Sequence, residues 1–520
     1  MITNSALKIL FIQLYLLFSL SAISQVVTTE PPLPFDNKPV TVYFDATQGD
    51  QGLMNFTGDV YAHTGVLTDK SQSDNDWKYV KAEWTTNIPE CKLTRISTNL
   101  YSLDISPSIR EFYGVPASEK IVKMCFVFRN SDGSKTGRDD GGKDIFTDVF
   151  EEGLNVSFIN PSKYFTLLED GESVPVEISA TASDSIALFL DNNWIASDTG
   201  TTLIDTVQFT GNTTHIAVTR AYKDGESKAD TAYFLIKSPV QTEPLPAGMQ
   251  DGINYIDDNT VTLVLYAPRK TNVYLLGDMN NWTPDNSYQL KKDGDRFWIT
   301  MNGLTKGKEY GYQYMVDDSL LIGDPYADKV LDPWNDQYIS QETYPNLKPY
   351  PAGKTQGIVT VFQTGQQEYV WKNKDFIPPA NEDLVIYELL IRDFTEQHTY
   401  QSLIDTINYL DRLGINAIEL MPINEFEGNE SWGYNPDYYF APDKYYGPKN
   451  DLKAFIDTCH GRGIAVIQDM VLNHSYGLSP LVQLYFDPTA GDYGQPKNNP
   501  WYNATSPNPS YSWGYDFNHE

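Results

Sequence analysis

The sequence predicts a multidomain chain in which all-β sandwich modules precede an α/β segment, and three observations carry that reading. At 520 residues the chain exceeds what one hydrophobic core supports, since domains hold roughly 50–250 residues. Most of the chain before Asp383 consists of short alternating apolar runs broken by Gly, Asp and Ser turns, the pattern of half-buried antiparallel strands. From Asp383 onward, β-type runs alternate with segments of helical period, which is how parallel sheets with helical crossovers are written.

Taken in order, Lys8 precedes the apolar stretch ILFIQLYLLFSLSAIS, which ends in small residues before Gln25. A run this short and this close to the start predicts a secretory signal over residues 1–24, cut after Ser24, rather than a stable membrane span. The expected destination is secreted, periplasmic or extracellular. No cysteine lies near that cut to carry a lipid. A Pro-rich lead then opens an N-terminal β domain, residues 40–158, whose runs include VTVYFDA, KYVKAEW and IVKMCFVFR. A second β block, residues 159–240, carries VPVEISA, SIALFLD and TTHIAVTRAY, and its length suits an immunoglobulin-like sandwich. SPVQTEPLPAG reads as a linker. The third β block, residues 247–345, carries VTLVLYAP, NVYLLGDMNNWTP, RFWITMNGL and YGYQYMVDD, where aromatic residues cluster.

The last segment, residues 380–520, starts with the strand LVIYELL. Leu403, Ile404, Ile407 and Leu410 then recur at helical spacing, with Gly414 where a helix stops. INAIELMP is the second strand. A second helix has Asn450 as its expected N-cap and Leu452, Phe455, Ile456 and Cys459 on one face, with Gly461 and Gly463 closing it. IAVIQDMVL is the third strand. The βαβαβ order implies parallel pairing. Between the second strand and the second helix lies a connection of roughly thirty residues, against the usual two to six, and such connections are where parallel folds place binding and chemistry.

Composition narrows the partners. A formal charge of -31 and a pI near 4.5 repel phosphate backbones and anionic headgroups, which argues against nucleic acid. Aromatic residues make up 13% of the chain, with 35 Tyr and 10 Trp. Part of that excess belongs to β-rich cores; the remainder suits a flat, neutral, hydroxylated ligand such as a sugar ring. The three cysteines, Cys91, Cys125 and Cys459, lack the paired spacing of a zinc site. Cys91 and Cys125 share one region, and whether they pair is left open by the sequence.

The stretch QDMVLNHS, 468–475, ends a strand with an acid, an amide and an imidazole. Asp469, inside that run, shares a strand face with Ala465, Ile467 and Val471, so it needs a cationic or hydrogen-bonding partner. Asn473 and His474 lie at the rim, where an imidazole can bind a hydroxyl, ligate a metal or move a proton. The plain alternative is that they close a strand-to-loop turn.

DMVLNH resembles the first signature region of the alpha-amylase family, glycoside hydrolase family 13: Asp, three residues, Asn, His at the end of the third barrel strand. VIYELLIRDFT resembles that family's first strand, and LGINAIELMPINEFEGNESWGYNPDYYFAPDKYYG its second strand and following loop. NPWYNATSPNPSYSWGYDFNHE resembles an insertion after the third strand in debranching-like members. VYLLGDMNNWTP, FWITMNGL and LIGDPYADKVLDPW resemble the carbohydrate-binding-like module that precedes isoamylases, pullulanases and branching enzymes. The resemblance implies all-β modules followed by an incomplete α/β (β/α)8 TIM barrel. It implies that His474 hydrogen-bonds the sugar in the cleaved subsite, that Tyr434 is the platform beneath it, and that Asp469 is a structural acid holding the arginine before the nucleophile. Asn473 matches a position that binds calcium in some members, so calcium is the one cofactor the resemblance brings in. Trp282, Trp298 and Trp334 are candidates for stacking on glucan, with core packing the equal alternative. For Trp432 packing within the loop is the expectation.

Retaining glycosidases need two carboxyl groups roughly 5 Å apart. The family's nucleophile, in a Gly-x-Arg-x-Asp stretch, and its acid/base follow the fourth and fifth strands. Neither motif occurs here, and Glu419, Glu425, Asp516 and Glu520, although acids, match neither position. The expectation is therefore a fragment of a secreted alpha-glucan hydrolase acting on starch, glycogen or pullulan, inactive by itself. Two other readings stand beside it: a non-catalytic glucan-binding protein, and a branching transglycosylase that shares every motif in view.

Overall fold

The computed structural model describes residues 25–519 except 72, 73, 75, 140, 141, 163, 164, 212, 488, 489, 491, 492, 511 and 512. The expected signal segment and Glu520 lie outside the described residues. The chain falls into two compact units that meet in sequence between Lys237 and Ser238.

The first unit has two separate cores. One is built around the long antiparallel pair Val60–Thr68 and Ile121–Asn130, and around a sheet holding Val40–Asp45 and Leu100–Ile105. Val40, Val42 and Phe44 alternate inward along their strand, as a period of two requires. Cys91 and Cys125 are both buried and no disulfide joins them. Packing rather than pairing accounts for them, and burial pushes the Cys91 thiol up to about 11. The other core lies between a five-stranded and a three-stranded sheet, with Ile178, Ile186, Ala221 and Phe234 fully buried. Its five-stranded sheet includes one parallel pair, Phe165–Leu168 with Glu226–Ile236.

The second unit begins with a β module of two sheets. One contains Thr260–Tyr266 and Arg296–Met301; the other contains Val273–Gly277, Glu309–Val316 and Val359–Gln363. Between them sits a core of Val261, Leu263, Leu275, Tyr312 and Phe362. Inside it, the Asp324 carboxylate accepts from the Tyr312 hydroxyl at 2.8 Å and the Tyr314 hydroxyl at 2.9 Å. Burial raises that carboxyl to about 6 despite those bonds.

A parallel three-stranded sheet follows: β1 (Ile386–Leu389), β2 (Ala417–Leu420) and β3 (Ala465–Gln468), in that order. The crossovers are α1 (Tyr400–Arg412) and α2 (Lys449–His460). α1 starts in a capping box, with Thr399 accepting from Ser402 N and Ser402 from Thr399 N. It buries Tyr400, Leu403, Ile407 and Leu410, and Gly414, at φ +75°, turns the chain back toward β2. α2 is capped by the extended Pro448 and not by Asn450, which lies one residue inside it. A proline there loses no helical hydrogen bond, because the first N–H groups of a helix have no partner in any case. Phe455 and Cys459 face the sheet core with Leu389, Ile418 and Leu420. The buried Asp457 accepts from Lys372 N and Asn373 N, both at 2.9 Å, and from the Tyr369 hydroxyl at 3.0 Å. Burial opposes the charge, but these donors hold the carboxyl at about 2. They tie the segment leading into β1 onto the back of α2.

Candidate binding site

Parallel pairing lines up the C-terminal ends of β1, β2 and β3, and side chains there share one face. Glu388 of β1 stands beside Glu419 of β2, which stands beside Ile467 of β3. Asp469 is two residues beyond Ile467 and so points to the same side. The strand stops at Gln468, four residues short of the expected end at Leu472, but Asp469 N still donates to Leu420 O at 3.0 Å and carries the ladder one step further.

Above this carboxylate-rich face lies the connection after β2. Gly433, at φ +91°, lets that loop double back, and a Cβ there would lie 2.3 Å from the Pro422 carbonyl oxygen. The turn delivers Tyr434, whose hydroxyl donates to Asp469 Oδ2 at 2.7 Å. Burial first, and the Asp469 hydrogen bond second, push the Tyr434 phenol up to about 12. Among the described residues Asp469 finds a hydrogen-bond partner in the Tyr434 hydroxyl.

His474 closes the arrangement. One of its nitrogens, Nε2, lies 2.8 Å from the Tyr434 carbonyl oxygen, and Nδ1 lies 2.8 Å from Asn473 Nδ2. A carbonyl only accepts, so Nε2 carries the proton; in the neutral ring Nδ1 then accepts from the Asn473 amide. Gly514, at φ +75°, packs so closely on the ring that a Cβ would lie 2.6 Å from His474 Cδ2. The Tyr439 hydroxyl donates to His474 O at 2.6 Å, and His474 pairs with Asp516 across a short antiparallel bridge. Tyr434 and His474 therefore meet in one place, with Tyr434 39% exposed. Sequence patterning missed Gly433 and Gly514, whose signal is conformational, and Glu388, whose neighbours are set only by strand register.

For two of the three tryptophans weighed between stacking and packing, the structure gives packing. Trp282 and Trp298 are 6% and 4% exposed, with their indole N–H groups on Asp278 and on Glu243 O. Neither ring face is open to a flat ligand, so packing accounts for both. Trp334 is partly buried against Ala327, Val330, Ile358, Tyr438 and Ala441. Trp432, by contrast, is 60% exposed rather than packed into its loop. Among the described residues no group of three or more His, Cys, Asp or Glu side chains is placed to hold a metal ion. Asn473, the position that the resemblance ties to calcium, turns its amide nitrogen to His474 Nδ1.

The long connection is anchored by a buried ion cluster. Lys444 Nζ lies 2.5 Å from Glu425 Oε1 and 3.2 Å from Asp336 Oδ1, all three side chains nearly inaccessible. Burial opposes its charge, but the surrounding Asp336, Glu425 and Asp443 carboxylates hold the ammonium protonated, its pKa raised above the ordinary value. Burial pushes Asp443 up to about 7.

The fold class is thus a β-sandwich module followed by a parallel strand-helix segment whose polar groups gather at the strand ends. Comparison with known families shows what the two segments are similar to. Residues 251–334 match carbohydrate-binding module 48, the isoamylase N-terminal domain, and residues 391–516 match the alpha amylase catalytic domain. The strand-helix segment is thus similar to the catalytic domain of alpha amylases, and the β module before it to the module that precedes isoamylases. It is 29% identical over 222 residues to a malto-oligosyltrehalose trehalohydrolase of Saccharolobus solfataricus, a match covering 42% of this chain and 34% of that protein. Over 235 residues it is 28% identical to a 1,4-alpha-glucan branching enzyme of Rhodospirillum rubrum, covering 41% of this chain and 29% of the relative. The matched segment spans about a third of the length of these curated relatives. Among solved structures, a group B Streptococcus pullulanase aligns at 20% identity over 62% of this chain and 46% of its own, with a TM-score of 0.34.

Proposed function

We propose that the cleft of Tyr434, Asp469 and His474 holds a single glucose unit of an alpha-glucan, and that the whole protein is a secreted hydrolase of such glucans. The observation that carries this reading is the hydrogen-bonded closure of Tyr434 on Asp469 and His474 at the strand ends. The exposed ring of Tyr434 offers a sugar an apolar face, and carboxylates and an imidazole around it offer partners to hydroxyl groups. Asp469, by accepting the phenol proton, fixes the tilt of that ring. Asn473, by donating to Nδ1, fixes which nitrogen of His474 carries hydrogen. Both are positioning roles, and they preorganise the site before a ligand arrives.

Cleavage with retention needs a nucleophilic carboxylate and a second carboxyl group as acid and base roughly 5 Å away. Glu388, Glu419 and Asp469 supply the charge that favours a cationic sugar, but none stands in the family's nucleophile or acid/base motif. The 520-residue chain is accordingly expected to bind without turnover. Calorimetry with maltoheptaose tests the reading: the chain binds, and Tyr434→Ala abolishes binding while the melting temperature stays within a few degrees. Unchanged affinity in that variant would defeat it. Measurable release of reducing sugar by pure wild-type chain would show that the chemistry has been placed on the wrong groups. Branching activity shares this cleft and is separated by the products of the whole protein.

A further inference from the structure

A second groove lies in the same unit, along the stretch that leads into the Gly433 turn. It encloses about 470 Å³ and is lined in part by Asn335, Tyr338, Asn429, Glu430, Ser431 and Tyr445. Tyr338 falls between the two segments that match family models. We propose that this groove is an additional glucan subsite, which takes a glucose residue of the same chain that occupies the Tyr434 cleft. The proposal rests on the reading of that cleft as a glucose site.

Three features point to a neutral, hydroxylated ring. Tyr338 is 72% exposed, and its hydroxyl makes no hydrogen bond among the described residues. No core needs its ring, yet the turn that carries it is rigid. The Asp332 carboxylate accepts from Trp334 N at 2.6 Å, Asn335 N at 3.1 Å and Asn335 Nδ2 at 2.9 Å, just ahead of the single helical turn Asp336–Tyr338. An exposed aromatic face on a fixed turn is a stacking surface whose ordering is already complete.

The opposite wall is fixed as well. Asn429 Nδ2 donates to Asn335 O at 3.0 Å and ties the two walls together; Arg392 Nη1 donates to Glu430 O at 2.6 Å; Ser431 Oγ accepts from Gly433 N at 3.0 Å. These bonds leave the Asn335 and Asn429 amide oxygens and the Glu430 carboxylate as acceptors for ligand hydroxyls. No lysine or arginine is among the residues lining the groove, which disfavours an anionic ligand. Its amides, hydroxyls and carboxylate would be left unpaired under an apolar one.

Continuity supplies the last step. Ser431 lines the groove and Tyr434 forms the cleft, so their backbones are at most about 10–11 Å apart along an extended chain. Trp432, 60% exposed, lies between them in sequence. An oligosaccharide several units long can therefore follow this loop from one site to the other.

Calorimetry on the full chain with maltotriose and maltoheptaose separates the two sites. The wild type is expected to bind maltoheptaose more tightly than maltotriose. Tyr338→Ala is expected to weaken maltoheptaose by roughly 5- to 10-fold, the size of one lost stacking contact, and to leave maltotriose within about twofold. Tyr338→Trp should restore the longer ligand. Tyr434→Ala should abolish both. If Tyr338→Ala binds maltoheptaose like the wild type while Tyr434→Ala does not, the groove is not a subsite and the cleft stands. If neither variant differs from the wild type, or the wild type binds neither sugar, both assignments fall.

Discussion

Two polar clusters stand a few residues apart on the connection after β2, built from the same kinds of group and put to opposite uses. Around Lys444 an ammonium and three carboxylates are sealed from water, and each charge depends on the others. Around Tyr434 a phenol, a carboxylate and an imidazole are half open to solvent and joined by neutral or singly charged hydrogen bonds. Burial turns a polar cluster into scaffolding, because its groups have no freedom to meet anything else; exposure leaves the second cluster able to exchange water for a ligand. The first holds the loop, so that the second can present it.

The sharpest break of that contrast is Lys444→Met. It keeps the volume and removes the one cation, leaving Glu425 and Asp336 buried without a charge partner. A loss of about 3–5 kcal/mol is expected, read as a lower denaturant midpoint for the second unit. A loss under about 1 kcal/mol would mean that the cluster admits water.

The next effect is a pH dependence whose sign follows from burial. Asp324 and Asp443 titrate in the folded chain near 6 and near 7, above the ordinary 3.8. Between the ordinary and the folded value, the folded state keeps a proton that the unfolded chain has released. Raising the pH through that window drains stability, and above the folded value the whole penalty is present. Asp457 acts in the other direction: its folded value of about 2 gives stability that is complete above about 4 and lost as the pH falls toward 2. The second unit is therefore expected to be more stable at pH 5 than at pH 8, by on the order of 4 kcal/mol. Denaturant melts at pH 5 and pH 8 measure it, and greater stability at pH 8 would contradict the assignment.

Smaller again is Gly514→Ala. The left-handed backbone and the 2.6 Å approach to His474 cost the variant about 1–3 kcal/mol in strain. The ring must move, so sugar affinity is expected to fall with stability. His474→Ala in the same background tests this: relief of the ring clash should recover part of the stability, the left-handed backbone and the 2.9 Å approach to the Ser475 carbonyl oxygen remaining, without recovering binding.

Much of the parallel segment was legible because its signals are periodic. The spacing of Leu403, Ile407 and Leu410, and of Phe455 and Cys459, fixes which helical faces are buried, and both helices form there. The Tyr434–His474 meeting followed from a motif resemblance and from strand ends sharing a face. What could not be read depends on facts periodicity does not encode. Pro448 caps α2 in place of Asn450 because missing N–H groups cost nothing at a helix start. Asp469 pairs with a phenol because a turn at Gly433 swings Tyr434 over it. Trp282 and Trp298 are inside and Trp432 is outside, although hydropathy treats all three alike. That no disulfide joins Cys91 and Cys125 follows from packing directions that spacing leaves open.

The smallest stability effect is also the most informative about the open cluster. Tyr434→Phe keeps the ring and removes the hydroxyl that Asp469 accepts. Because Asp469 is only half buried, water can replace the lost donor, and the cost should stay within about 1 kcal/mol. If the ring is what a sugar rests on, maltoheptaose affinity should fall modestly, by about 3- to 10-fold, since stacking survives while the ring loses its fixed tilt. Loss as complete as in Tyr434→Ala would instead make the hydroxyl, with Asp469 behind it, the group that contacts the ligand. A large loss of stability would make the pair scaffolding like Lys444, and the distinction between the two clusters would then rest on exposure alone.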